Sequence, residues 1–121
     1  MSVDNELSVL SLETAMQFVG DPDLFAEIAE MLLDELPEQM GFLQTHWDNG
    51  DLENLYKTAH RLKGNFGVVA AQQAHAAAKT LESAARAGDA AASQTAVGEL
   101  QAAVDEVVPV IKQHVAEMTA Q

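Results

Sequence analysis

The chain has 121 residues, 19 acidic against 6 basic side chains for a formal charge of -13, and no cysteine. That is enough for one core; it removes disulfides and thiolate metal sites, fits a reducing cytoplasm, and argues against duplex nucleic acid, whose phosphates an acidic chain repels. No run of about eighteen apolar residues is present to span a membrane, and no basic, apolar leader pattern opens the chain. The hydrophobic share of 48% is rich in alanine and only 5% is aromatic, a balance that favours helices.

Residues 1–10 read as a flexible polar lead-in, and residues 11–121 as the folded domain. Ser11 can cap a short helix from Leu12 to about Val19, which Gly20 ends. Asp21-Pro22 then opens a second helix, with a capping carboxylate and a proline at the first helical position. Along it Phe25, Ile28, Leu32, Leu36, Leu43 and Trp47 recur at helical spacing, with Glu27, Glu30, Asp34, Glu35 and Glu38 on the solvent side. Pro37 interrupts the pattern, so a kink is expected near residues 34–37. Asn49-Gly50-Asp51 is a turn. A third helix is expected over about Leu52 to Val69, and a fourth over about Ala71 to Ala87. The inward positions of the fourth are the small residues Ala74, Ala78 and Ala85 around Leu81. Gly88 closes it and Asp89 caps a last helix carrying Val97, Leu100, Val104, Val108, Ile111, Val115 and Met118, bent at Pro109. Short connections between long amphipathic helices predict an all-α fold: an antiparallel up-and-down four-helix bundle with a short extra N-terminal helix.

The third helix carries the most informative stretch. At about 100° per residue, Leu55, Ala59, Leu62, Phe66 and Val69 form one apolar face. His60 lies almost opposite, with Lys57 and Lys63 on its two sides and Gly64 and Gly67 one and two turns on. A glycine inside a helix costs about 1 kcal/mol against alanine, so Gly64 marks a place where something approaches the backbone. Gly67 either does the same or ends the helix. No acidic residue occurs between Glu53 and Glu82, while Lys57, Arg61, Lys63 and Lys79 all do. This positive island in an acidic chain suits an anion or an acidic partner surface.

Other chemistries lack their patterns. There is no phosphate-binding glycine loop and no kinase loop. The histidines at 46, 60, 75 and 114 show neither the four-residue spacing of a helical zinc site nor a Glu-x-x-His motif, so no metal and no cofactor are expected. His46, His75 and His114 read as surface or helix-end residues. His60 has the company for one chemistry, accepting a phosphoryl group. A neutral imidazole is a competent nucleophile at neutral pH, Lys63 can offset phosphoryl charge, and Gly64 leaves room for a bulky donor.

The string His60-Arg61-Leu62-Lys63-Gly64 resembles the His-x-Leu-Lys-Gly signature of histidine-containing phosphotransfer (HPt) domains. The likeness extends over nearly the whole chain, through Asp21-Pro22-Asp23, Glu35-Leu36-Pro37, Gly50-Asp51, Leu81-Glu82 and Arg86-Ala87-Gly88-Asp89. The resemblance implies that His60 is the phosphoacceptor, that Lys63 contacts the phosphoryl group and that Gly64 gives access. Glu82 matches a polar family position across from the histidine, where it would orient the ring; read by itself, it is equally an ordinary solvated glutamate paired with Lys79. Many relatives have a second glycine ten residues after the histidine, where this chain has Ala70, which implies a slightly altered helix end.

The implied function is that of a phosphocarrier in a two-component phosphorelay, not an enzyme, taking its group from one response-regulator receiver aspartate and giving it to another. Any magnesium would belong to the receiver. Partner contacts are expected from Tyr56, Lys57, Arg61, Gly67 and Val68, with further apolar neighbours on the first two helices. The alternative is an adaptor that binds such a partner without being phosphorylated. Five helices can close a bundle within one chain, so a monomer in the cytoplasm is expected. The initiating Met1 and the lack of a linker point to a free-standing protein.

Overall fold

The computed structural model describes residues 7–120, and each helix in it begins where the sequence supplies an acceptor for unpaired backbone N–H groups, with one exception. Helix α1 spans Leu12–Val19, α2 Pro22–Asp48, α3 Leu52–Val68, α4 Gln72–Arg86 and α5 Ala90–Thr119. The side chains of Ser11, Asp21, Asp51 and Asp89 accept from the first turns of α1, α2, α3 and α5. The exception is α4, which Ala71 precedes without a side-chain cap. There the chain N-terminal to α1 substitutes. The Gln73 N–H donates to the Ser8 carbonyl, the Ser8 N–H to the Gln72 side chain, and the Gln73 amide to the Leu7 carbonyl. Ser11 N–H donates to the Ala70 carbonyl. Of the lead-in expected over residues 1–10, residues 7–10 are therefore tied to the α3–α4 turn; residues 1–6 lie outside the described residues.

The turns after α2, α3 and α4 share one hydrogen-bond pattern. In each, two successive N–H groups reach back to the last helical turn: Gly50 to Trp47 and Asp51 to His46, Ala70 to Gly67 and Ala71 to Phe66, Gly88 to Ala85 and Asp89 to Ala84. This geometry places one residue in the left-handed region. Gly50 (φ 67°) and Gly88 (φ 74°) fill two of the three places, and Ala70 (φ 56°) fills the third. The end of α3 thus lies beyond Gly67, which stays inside the helix. The altered helix end expected at Ala70 is an alanine doing what glycine does in the other two turns.

The helices close into a ring, α2 against α3, α3 against α4, α4 against α5 and α5 back against α2, with α1 laid on α2 and α3. The core runs through the ring: Phe25, Leu32, Leu36 and Leu43 from α2, Leu55, Leu62 and Phe66 from α3, Leu81 from α4, and Leu100, Val107 and Ile111 from α5. Ala59 of α3 and Ala74, Ala78 and Ala85 of α4 are also buried, and their small side chains let these two helices pack closely. Helices α2 and α5 continue unbroken through Pro37 and Pro109, so neither proline divides its helix. Both prolines are exposed, where water can serve the carbonyl that loses its partner. No helix among the described residues is long and apolar enough to cross a membrane.

Candidate functional site

The α3–α4 hairpin sets the site. His60 lies ten residues before Ala70 and Glu82 twelve after it. At about 1.5 Å rise per residue, two antiparallel helices bring such positions to nearly the same height. The apolar face of α3 turns inward and leaves the His60 side chain 66% exposed. Glu82 sits on the flank of α4 that meets α3, and its side chain is only 9% exposed.

One carboxylate organises the cluster. Glu82 Oε2 lies 2.6 Å from His60 Nδ1, and Glu82 Oε1 lies 2.7 Å from Lys63 Nζ. The Lys63 ammonium, aided by the His60 ring, holds the Glu82 carboxyl below its ordinary value against the opposing effect of burial. An ionised carboxylate only accepts, so the Nδ1 contact is an N–H donated by the ring, and in the neutral imidazole Nε2 then keeps its lone pair. The pairing of Glu82 with Lys79 is not formed. Beside the ring, a Cβ built on Gly64 would meet nothing within 4 Å, so the backbone there is open to solvent.

The other sequence-derived residues differ in their settings. Lys57 and Arg61 are exposed on the α2 side of the histidine, and Lys57 holds Glu53 at 3.4 Å. Tyr56 turns the other way: it is half-buried under Arg86, whose guanidinium lies 5.0 Å from the ring centroid. Its ring therefore takes part in the α3–α4 packing. Gly67 is half-buried because the ring of His75 leans on it, and a Cβ there would come 3.3 Å from His75 Cδ2. Its missing side chain serves a contact within the chain, α4 against α3. Val68 is exposed, as expected.

Sequence reasoning placed apolar neighbours of Val68 on the first two helices without naming them. Phe18, Leu24, Met31 and Val68 are all exposed, Phe18 most of all at 74%. Together with Val19, Ile28, Gly64 and Gly67, three of them line an open groove beside the histidine helix. Met31 joins Ile28 and Val68 in the adjoining depression. All large exposed hydrophobics among the described residues lie on α1, α2, α3 or the segment before them, and none on α4 or α5. A signal existed: Leu24 and Met31 are seven apart, one position before the buried pair Phe25 and Leu32, and so form a second apolar row along α2. Among the described residues no group of three or more His, Asp or Glu side chains is placed to hold a metal ion.

Comparison with known proteins adds one finding. Neither the curated proteins nor the solved structures gave a match. The family model described as "Hpt domain" matches residues 27–108, which include His60, Lys63, Gly64 and Glu82. That is more than half of the 121 residues, and the all-helical bundle agrees with it. The chain belongs to the Hpt domain family.

Proposed function

We propose that this chain carries a phosphoryl group on His60 Nε2 between receiver-domain aspartates of a phosphorelay. The observation that carries the reading is a solvent-facing imidazole whose Nδ1 is held at 2.6 Å by the largely buried carboxylate of Glu82. That contact fixes the tautomer and leaves Nε2 as the nucleophile. Nε2 attacks the phosphorus of an aspartyl phosphate. The N–P bond forms, the P–O bond to the aspartate breaks, and the aspartate leaves as carboxylate with the bonding pair. The proton on Nδ1 stays in place, so the ring gains positive charge that Glu82 offsets. Lys63 contributes positive charge next to the incoming oxygens, and Gly64 lets the donor site close on the ring. The reverse sequence hands the group to a second receiver.

The receiver docks on the face built by α1, α2 and α3. Phe18, Leu24, Met31 and Val68 supply its apolar part, Lys57 and Arg61 its basic part. Exposed apolar patches rimmed by charge are the usual mark of a protein-binding surface. The test is phosphotransfer from a panel of phosphorylated receiver domains. His60→Gln abolishes acid-labile, base-stable labelling while the helical circular dichroism persists. Label that survives this substitution places the acceptor elsewhere, and binding without transfer returns the chain to an adaptor.

A further inference from the structure

The cleft between α2 and the N-terminal half of α3 differs from the rest of this acidic surface. It encloses about 240 Å³, and its walls carry Arg61 and Lys57 from α3 and His46 from α2, with no carboxylate among them. Arg61 forms no ion pair among the described residues. Lys57 has only the exposed pair with Glu53, a contact worth little in water. Gln39 is the deepest polar residue of the wall, 7% exposed on a helix face otherwise given to Phe25, Leu32, Leu36 and Leu43. Its amide makes no hydrogen bond within the described residues. It is not sealed in either, because among the described residues the one enclosed side-chain polar atom without a partner is Ser93 Oγ. The amide therefore opens into the cleft that Gln39 lines.

An amide that lies deep on the wall, makes no hydrogen bond within the described residues and opens into the cleft is available to a ligand there. A guanidinium, an ammonium, an amide and the Thr58 hydroxyl converge here, and together they form a donor set for oxygen anions. We propose that this cleft binds a compact oxyanion, a carboxylate or phosphate group, through Arg61, Lys57 and Gln39. His46 stands at its edge, its ring stacked on Phe42 with centroids 6.5 Å apart. The site does not require His60 to be a phosphoacceptor, although Arg61 places it on the same side of α3 as the docking face.

The whole chain, labelled with 15N, is titrated with inorganic phosphate and separately with acetate, against sodium chloride at matched ionic strength. Side-chain resonances of Gln39 and Arg61 shift saturably with phosphate, acetate or both. Phosphate alone identifies a phosphate site, and acetate identifies a site for a carboxylate side chain. Arg61→Gln and Lys57→Gln each weaken binding about tenfold, as expected for loss of one charge-assisted contact. Both residues are exposed, so both variants fold; Gln39→Leu removes the amide at similar volume and weakens binding as well. Shifts that do not saturate with either anion, that are matched by chloride, or that persist unchanged in Arg61→Gln and Lys57→Gln overturn the proposal.

Discussion

Replacing Glu82 by Gln isolates what the charge of that carboxylate does. Glutamine keeps a carbonyl oxygen for the His60 Nδ1–H, but it removes the ion pair with Lys63 at 2.7 Å and the charge opposite the ring. A hydrogen bond to a charged group contributes about 1.5–3 kcal/mol when well buried. Lys63 is 27% exposed and His60 66% exposed, so solvent screens both contacts. A loss of about 1–2 kcal/mol at neutral pH follows. Its pH dependence has a definite sign. The folded carboxyl titrates below its ordinary value of 4.5, so the stabilisation is complete above 4.5 and is lost as pH falls through the folded value. Urea unfolding of the native chain and Glu82→Gln, followed by circular dichroism from neutral to acid pH, measures this difference. Contributions of the other carboxylates cancel in the comparison. The native chain is more stable at pH 7, with an unchanged slope in urea, and the gap narrows below pH 4.5 and closes as the pH falls through the lowered folded value. A gap of equal size at both ends of that range, or none at pH 7, would refute the assignment of Glu82 as the charged bridge.

Three further substitutions probe the site and its frame. Gly64→Ala adds a methyl that meets nothing within 4 Å, so it stabilises the helix by up to about 1 kcal/mol while slowing phosphoryl transfer; unchanged transfer would remove the argument for access. Ala70→Gly relieves a left-handed backbone worth about 1–2 kcal/mol but gives up a buried methyl worth about 0.8 kcal/mol and adds chain entropy. Its melting free energy therefore stays within about 1 kcal/mol of native, and a larger loss would show that the φ of 56° carries little strain. Phe18→Ser changes a residue that is 74% exposed, so stability moves by no more than about 0.5 kcal/mol; transfer from a cognate receiver falls at subsaturating concentration, and an unaffected rate would place docking on another face.

The helix frame was legible because its signals are local. Ser11, Asp21 and Asp89 each cap the helix expected of them, and Asp51, read from the sequence only as part of a turn, caps α3 as well; an acceptor two or three residues before a free N–H needs no tertiary help. The outward direction of His60 was legible for the same reason: it follows from the period of α3 alone. Features that depend on a second helix were not. Gly67 reads as open backbone until α4 lays His75 on it, and Tyr56 reads as a rim residue until Arg86 covers it. The left-handed turn fell on Ala70 without the glycine that usually announces it. Gln39 occupies a buried position that a hydrophobic pattern passes over, and its reason lies in the cleft to which α3 contributes two cations.

Lys63 shows why counting charges near a residue differs from knowing the field at it. The sequence places Lys57, Arg61 and Lys63 within one turn of His60, as three positive neighbours. In the folded chain Lys63 is already engaged by Glu82, so with a neutral ring the three-residue cluster carries no net charge. The cations left unpaired or weakly paired, Arg61 and Lys57, stand on the α2 side. On the proposed reading, a phosphoryl group arriving at Nε2 would bring negative charge to one side of the ring, while the ring itself would turn positive against Glu82 on the other. The carboxylate would then share its field between the ring and Lys63, and its hold on Lys63 would loosen as the phosphoryl oxygens compete for the ammonium. On that reading the cluster gains one negative charge with the phosphoryl group, and Lys63, Glu82 and His60 would redistribute their own charges around it, which a glutamine at position 82 would not allow.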